Sequence, residues 1–483
     1  MKKRSLWISA TAALGVAVAL AGCGTTTYFA GRTLPPSGLI NRVLIAVQNP
    51  NISTKGALTF VDANYDIRSG YSGTPVMFSI SSYSGALPVT IQNMPEEQAG
   101  AVYASGDGSY ALIDYAKETS TAASSGLSGN SSSIFITRNQ LYTFAANQAS
   151  HLLTVLDHVA GSSYPLSLPG VYRVSVNPGG SVALAFVENS NYIYYPRKLT
   201  AAQTLAYSGG SSTWPKAAVD CEPQNGPLWC LFQAQSPDHV DATGNTYGAP
   251  LAFDRPVKAV FSADGGTANV LNCGPECGGS KSSISLLPVA PMIYLTGQSS
   301  GTLPTQSTLG SNTILIPGGA SNALVDTSTM YVAGQQLQTD GLFAGNLTVV
   351  NLSNNTAGSP ISISDGAPGA LSRMLLADDH TLWIGMTKCT NGERFAKGRP
   401  YGCLTMFNTS TNTVTMLLPY LGDATGIAGV TGLHKIYSAQ GGQVYINRTT
   451  DGSSIDNQYV TVTGTAYDVA YMDGLTDGNN TVY

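Results

Sequence analysis

Met330-Tyr331-Val332-Ala333-Gly334, followed by Asn346-Leu347-Thr348-Val349-Val350-Asn351, is the stretch that decides the fold. Each half is a short β-rich run, and turn residues separate the two. The same pair recurs along the chain. Leu141-Tyr142-Thr143-Phe144-Ala145-Ala146-Asn147 leads to Leu152-Leu153-Thr154-Val155-Leu156-Asp157. Leu382-Trp383-Ile384-Gly385-Met386 leads to Cys403-Leu404-Thr405-Met406-Phe407-Asn408-Thr409. The spacing from Leu347 to Leu404 suits a unit of about four strands with loop insertions, which points to a propeller rather than a sandwich.

A second element accompanies these pairs: an apolar strand running into a polar turn. It is seen at Tyr172 to Gly180, Val257 to Gly266, Leu371 to Asp379 and Tyr467 to Gly474. Asn, Asp and Gly there supply the turn between an innermost strand and the next one out. Further strand patterns fall at 42–47, 56–62 and 75–80, and the mature chain has no long stretch of helical periodicity. The amino-terminal strand pattern at 42–47 lacks an innermost strand before it, whereas 467–472 is a surplus innermost strand. One blade completed by both ends would close the ring and remove unpaired edges. Seven four-stranded blades are expected. Eight is the alternative, because residues 98–160 hold two inner-strand candidates.

These strands resemble the YVTN-type β-propeller repeat, with an inner strand, a Pro/Asp-Gly turn, an aromatic-Val-Ala-Asn strand and a Thr-Val-x-Val-Ile-Asp strand. Residues 330–356, 371–416 and 141–157 match best. Residues 200–255 and the Ser/Gly-rich 117–133 depart from the pattern. The resemblance implies a fold more firmly than an activity.

The chain opens with Lys2, Lys3 and Arg4, an apolar run from Leu6 to Leu20, and then Ala21-Gly22-Cys23. The run is too short for a comfortable bilayer span of ~20 residues. The segment resembles a bacterial lipoprotein signal peptide. That implies cleavage before Cys23, lipidation of Cys23, and firm anchoring by two or three acyl chains. Gly24, in place of aspartate, points to the outer membrane in a Gram-negative source. The organisation read from the sequence is a signal peptide at 1–22, a lipidated polar tether at 23–40 and a propeller domain at 41–483.

Of 483 residues only 11% are charged, about half the usual ~25%. The formal net charge of −5 argues against nucleic acid as a partner. Six cysteines follow Cys23 and fall in local pairs: Cys221 with Cys230, Cys273 with Cys277, and Cys389 with Cys403. An even count in an exported chain reads as disulfides, and pairing of neighbours is the expectation among fifteen connectivities. The alternative for Cys273-Gly-Pro-Glu-Cys277 is a metal site, but no second pair or histidine cluster completes it.

No motif marks a reaction. Gly297-Gln298-Ser299-Ser300-Gly301 matches G-x-S-x-G, yet no helical pattern follows, as a nucleophile elbow requires. His151, His158, His239, His380 and His434 form no metalloprotease spacing. The acidic turns Asp264-Gly265, Asp378-Asp379, Asp473-Gly474 and Asp477-Gly478-Asn479 lack EF-hand spacing and are explained by turn formation. Trp214, Trp229, Trp383 and the Tyr192-Ile193-Tyr194-Tyr195 cluster are expected to pack between blades, with exposure on a ligand-binding face as the alternative. No catalytic, cofactor-binding or metal residue is assigned. The expected protein is a lipid-anchored binding or interaction scaffold of the cell envelope, its partner an envelope protein or a small ligand. The alternatives are a propeller hydrolase of lactonase type and an outer-membrane assembly component. The lactonase reading would need acidic or histidine side chains converging on the central channel.

Overall fold

The computed structural model describes residues 32, 34–65, 77–121, 126–127, 129–206, 215, 217–222, 228–237, 248–364, 370–387, 389, 402–417 and 421–476. The leader, Cys23, most of the tether, Trp214, His239 and the Asp477 turn lie outside them. No helix among the described residues is long and apolar enough to cross a membrane.

The strands form eight antiparallel sheets, so the ring has eight blades, not the seven favoured from sequence. Four innermost strands carry no recognisable inner-strand turn pattern: Pro88–Met94, Ser133–Ile136, Asn322–Asp326 and Ala424–Val430. The first two begin blades 2 and 3, but only Ser133–Ile136 falls within 98–160, where two inner-strand candidates gave the alternative of eight; Pro88–Met94 precedes that region. In chain order the other blades begin at Val171–Val176 (blade 4), Pro256–Phe261 (blade 5), Asn322–Asp326 (blade 6), Ala370–Ala377 (blade 7) and Ala424–Val430 (blade 8).

Blade 1 is assembled from both ends of the chain. Its innermost strand is Thr465–Tyr471, and Arg42–Gln48 pairs with it antiparallel, Leu44 opposite Ala470 and Val43 opposite Tyr471. A buried ion cluster seals this joint. The Arg42 guanidinium donates to both Asp473 oxygens, at 3.0 Å from Nε and 2.6 Å from Nη2, and to Glu118 Oε1 of blade 2 at 2.8 Å. The Arg42 backbone N–H adds a further bond to Asp473 at 2.7 Å. The Asp473 turn thus does more than reverse the chain.

The blades are buried on both faces, which explains their continuous apolar runs. In Arg42–Gln48, Val43, Ile45 and Val47 pack toward blade 8, while Leu44 and Ala46 pack toward blade 2. This is the two-residue period of a strand, with both faces apolar. Every seam of the ring holds its own apolar cluster of this kind.

The departure at 200–255 has a structural cause. Blade 4 carries five strands, ordered so that Ile193–Lys198 pairs with Trp229–Gln233, and Ala218–Glu222 lies outermost. Cys221 and Cys230 face each other in that outer pair and are disulfide-bonded. The other two neighbour pairs, Cys273–Cys277 and Cys389–Cys403, are also disulfides. In the tyrosine cluster Ile193 and Tyr195 are buried and Tyr192 is exposed, as strand alternation requires.

Candidate functional site: a cationic central chamber

Six of the eight innermost strands share one irregularity. Each has an extra residue that shifts its register against the second strand. A bulge of this kind bends the strand and re-aims side chains. The residues that directly follow the extra one are Thr90, Arg173, Lys258, Arg373, Gly426 and Asp468. Equivalent positions around the ring therefore carry three cations, one carboxylate, one hydroxyl and one glycine.

Neighbouring innermost strands are stitched together through polar side chains. Asp468 accepts from the Ile91 N–H at 2.8 Å, joining blades 1 and 2. Gln92 bonds both polar groups of the Ile136 backbone, at 2.7 and 2.8 Å, joining blades 2 and 3. Ser133 Oγ accepts from the Val174 N–H, and Ser175 Oγ from the Ala259 N–H, each at 3.2 Å. Lys258 Nζ donates to Asn322 Oδ1 at 2.8 Å, joining blades 5 and 6.

The stitching closes differently at blades 7, 8 and 1. Arg373 of blade 7 reaches Asp468 of blade 1 at 3.4 Å, past blade 8. Gly426 of blade 8 lies beside that carboxylate. A Cβ at Gly426 would stand 2.5 Å from Asp468 Oδ1 and 2.7 Å from its Cα. The backbone contact cannot be relieved by a rotamer change. We expect Gly426→Ala to destabilise the fold by about 1–3 kcal/mol, the range for overpacking a tight site. Chemical denaturation checks this, and an unchanged midpoint would show that the blades separate freely here.

On the side of blades 2 to 7 the channel widens into a chamber of about 710 Å³. Its lining holds four cationic side chains, Arg138, Arg173, Lys258 and Arg373, against one carboxyl, Glu276. The chain as a whole has a net charge of −5, so this charge is concentrated against the average. Lys258 is 7% exposed, and burial together with Arg173 and Arg373 holds its ammonium well below the ordinary lysine range. Among the described residues, neither Arg173 nor Lys258 meets a carboxylate. Arg173 donates to the Val257 carbonyl at 3.4 Å, and Lys258 has Asn322.

Glu276 reaches the chamber from the four-residue turn Gly274–Cys277. The Cys273–Cys277 disulfide spans that turn, so the pair weighed as a metal site instead staples the loop. Gly274 opens it at φ +61°, where a Cβ would run into the Lys281 backbone at 2.3 Å. Turns between second and third strands lie on the same face as the starts of the innermost strands, because each blade meanders up and down. Glu276 therefore shares the face of Arg173 and Lys258. Its Oε2 accepts from the Gln335 N–H at 3.0 Å. Burial raises the carboxyl to about 6, outweighing the bonds from Gln335 and Ser321.

The raised value has a sign. The folded state holds the Glu276 proton more tightly than the unfolded chain does. Its penalty is absent below about pH 4.5 and fully present above about pH 6, so stability falls as pH rises through that window. Glu276→Gln should remove up to about 2 kcal/mol of this fall. Denaturation midpoints of both proteins at pH 4.5 and 7 test it. Identical pH profiles would refute the buried carboxyl.

The other sequence candidates stay outside the chamber. Ser299 of the G-x-S-x-G match directly follows the turn at 296–298 and donates to the Thr296 carbonyl at 3.0 Å, with no helix directly after it. His158 sits in the seam of blades 2 and 3, 2.8 Å from Thr143 Oγ1, and burial lowers its pKa. His434, rather than His380, meets the acidic turn, at 2.9 Å from Asp379 Oδ2. No group of three or more His, Cys, Asp or Glu suited to a metal occurs among the described residues. Trp229 and Trp383 are fully buried.

No family model and no curated protein matches this sequence. Solved structures do resemble it. Hydrazine synthase of Kuenenia stuttgartiensis is 11% identical, with 77% of this chain and 99% of that chain covered and a TM-score of 0.45. Dihydro-haem d1 dehydrogenase, in complex with DHE, is 11% identical over 92% of this chain and 79% of that one, with a TM-score of 0.48. The periplasmic gluconolactonase of Pseudomonas aeruginosa is 13% identical over 89% and 98%, with a TM-score of 0.40. At such identities no residue role passes from them to this chain. The fold stands on the strand pairing itself.

Proposed function

We propose that the protein is a lipid-anchored, exported binding module that takes a small ligand into the central chamber of its propeller. The observation that carries this reading is the chamber: about 710 Å³, with charged and polar side chains converging from several innermost strands. That size and lining suit a ligand pocket. The rigid ring around it offers binding groups fixed in place before a ligand arrives. The three disulfides support an exported setting. The lipobox at Cys23 supports the anchor.

Native mass spectrometry of the intact protein, gently solubilised from its own membranes, tests both parts. The expected result is a lipidated Cys23 terminus and a small molecule released at one per chain. A stoichiometric envelope protein with no small molecule would replace this reading with the assembly role. An unmodified terminus other than Cys23 would remove the anchor.

One observation favours hydrolysis as a second reading. Glu276, with a carboxyl raised to about 6, shares a chamber with four cationic side chains, and this is the acidic group that a lactonase-type site requires. Glu276 would act as general base toward water, and the cations would stabilise the developing oxyanion. Turnover of gluconolactone that is lost in Glu276→Gln supports it. Binding without turnover rejects it.

A further inference from the structure

Resting on the reading of the chamber as a ligand site, we infer that its ligand is a small oxyanion, carrying a carboxylate or phosphate group, held between Arg173, Lys258 and Arg373. Three independent observations lead there.

The first is placement. These side chains come from three blades that are separated by more than 80 residues between successive members, yet each stands directly after the extra residue of its innermost strand. The ring geometry gives them one level in the channel, and all three line the same chamber.

The second is the charge balance. Asp468 is the carboxylate at the equivalent level, and it is engaged by Arg373 and by the Ile91 and Val469 N–H groups. That leaves Lys258 buried with a neutral amide as its partner. A buried ammonium without a counter-charge is costly, and two arginines nearby raise the cost. Pushing its proton off is one relief, and a bound anion is the other. An anion would satisfy Arg173 and Lys258 together and offset their mutual repulsion.

The third is chemistry. Guanidinium groups match the planar or tetrahedral oxygens of carboxylate and phosphate, while an ammonium adds a point charge. Two arginines and a lysine aimed from different sides suit a compact, multiply charged anion.

Calorimetric titration of the full-length protein with inorganic phosphate and with citrate tests the inference. One or both should bind with a one-to-one stoichiometry and weaken as salt rises. Binding of phosphate alone assigns the phosphate class, and binding of citrate alone the carboxylate class. Lys258→Met should weaken binding at least tenfold while raising the ligand-free denaturation midpoint, because it removes an uncompensated buried charge. Arg173→Gln should weaken binding without that gain. Lys117→Ala, at an exposed lysine of blade 2, should bind as the parent does. Equal affinity in Lys258→Met and the parent would overturn the inference. So would the absence of binding by either anion. If native mass spectrometry then still released an uncharged small molecule, the chamber reading would stand and only the oxyanion would fail.

Discussion

Arg42→Ala is expected to cost about 3–5 kcal/mol of stability, the range for removing one partner of a buried charge cluster. The ring is closed by the pairing of Arg42–Gln48 with Thr465–Tyr471. At that joint a side chain only 3% exposed holds two carboxylates from different parts of the chain, Asp473 and Glu118. Truncation leaves both carboxylates buried without the Arg42 cation and removes its hydrogen bond to Tyr115 O. Glu118 also accepts from the Ser37 N–H and hydroxyl, so the start of the described chain is tied to the same cluster. Denaturant unfolding, with Lys117→Ala as the comparison, measures the effect. The Lys117–Asp114 pair is exposed, and pairs of that kind contribute little. A loss for Arg42→Ala no larger than that of Lys117→Ala would mean that the seam does not depend on this cluster.

Trp229→Ala is the second large effect, again about 3–5 kcal/mol, as for large aromatic truncations in cores. Trp229 is fully buried where blades 3 and 4 meet. Its ring lies edge-on to Tyr142 at 5.6 Å, 5.8 Å from the ring of Tyr294 and 6.3 Å from those of Phe144 and Tyr164. Lys198 Nζ stands 5.9 Å from the indole and pairs with Asp157 at 2.6 Å. Removing the indole would open a large cavity and take away one of the ring faces over which that ammonium sits. The result bears on the inserted region. Trp229 belongs to 200–255, the part of the sequence that least fits the repeat, yet it fills a seam of the ring. A loss below about 1 kcal/mol would make the insertion an appendage rather than part of the blade.

The sequence reading succeeds where local pattern and tertiary role coincide. Tyr331 and Leu347 lie on strands whose apolar runs are long and bounded by turns, so those strands and their pairing were legible. The closure by both ends was also legible, because the pattern at 42–47 reads as a second strand and that at 467–472 as an innermost one. The blade count was harder. Ser133–Ile136 is four residues long, and Ala424–Val430 reads Ala-Thr-Gly-Ile-Ala-Gly-Val, too small and glycine-rich to stand out as a strand. Its glycines are there because Asp468 and Leu375 crowd the strand, and that pressure is visible only in three dimensions.

The chamber was missed for a different reason. Its residues sit far apart in sequence and match no motif. A signal was nonetheless present in strands already recognised as innermost: Tyr172-Arg173-Val174, Val257-Lys258-Ala259, Ser372-Arg373-Met374 and Tyr467-Asp468-Val469 each place one charge in the same slot of an otherwise apolar run. A charge in a strand buried on both faces needs a reason, and a ring stacks such slots around one axis. Glu276 could not be found this way. Its position depends on a turn stapled by Cys273–Cys277, and on a neighbour, Gln335, from the next blade.

The most direct test of the central claim is a diffraction measurement on crystals of the protein soaked in selenate, whose oxygens mimic those of phosphate and whose selenium scatters anomalously. The account predicts an anomalous peak inside the chamber, within hydrogen-bonding reach of Lys258 Nζ and of the Arg173 and Arg373 guanidinium groups, and its disappearance in Lys258→Met. Peaks confined to the outer surface, with the chamber empty in the parent protein, would contradict it.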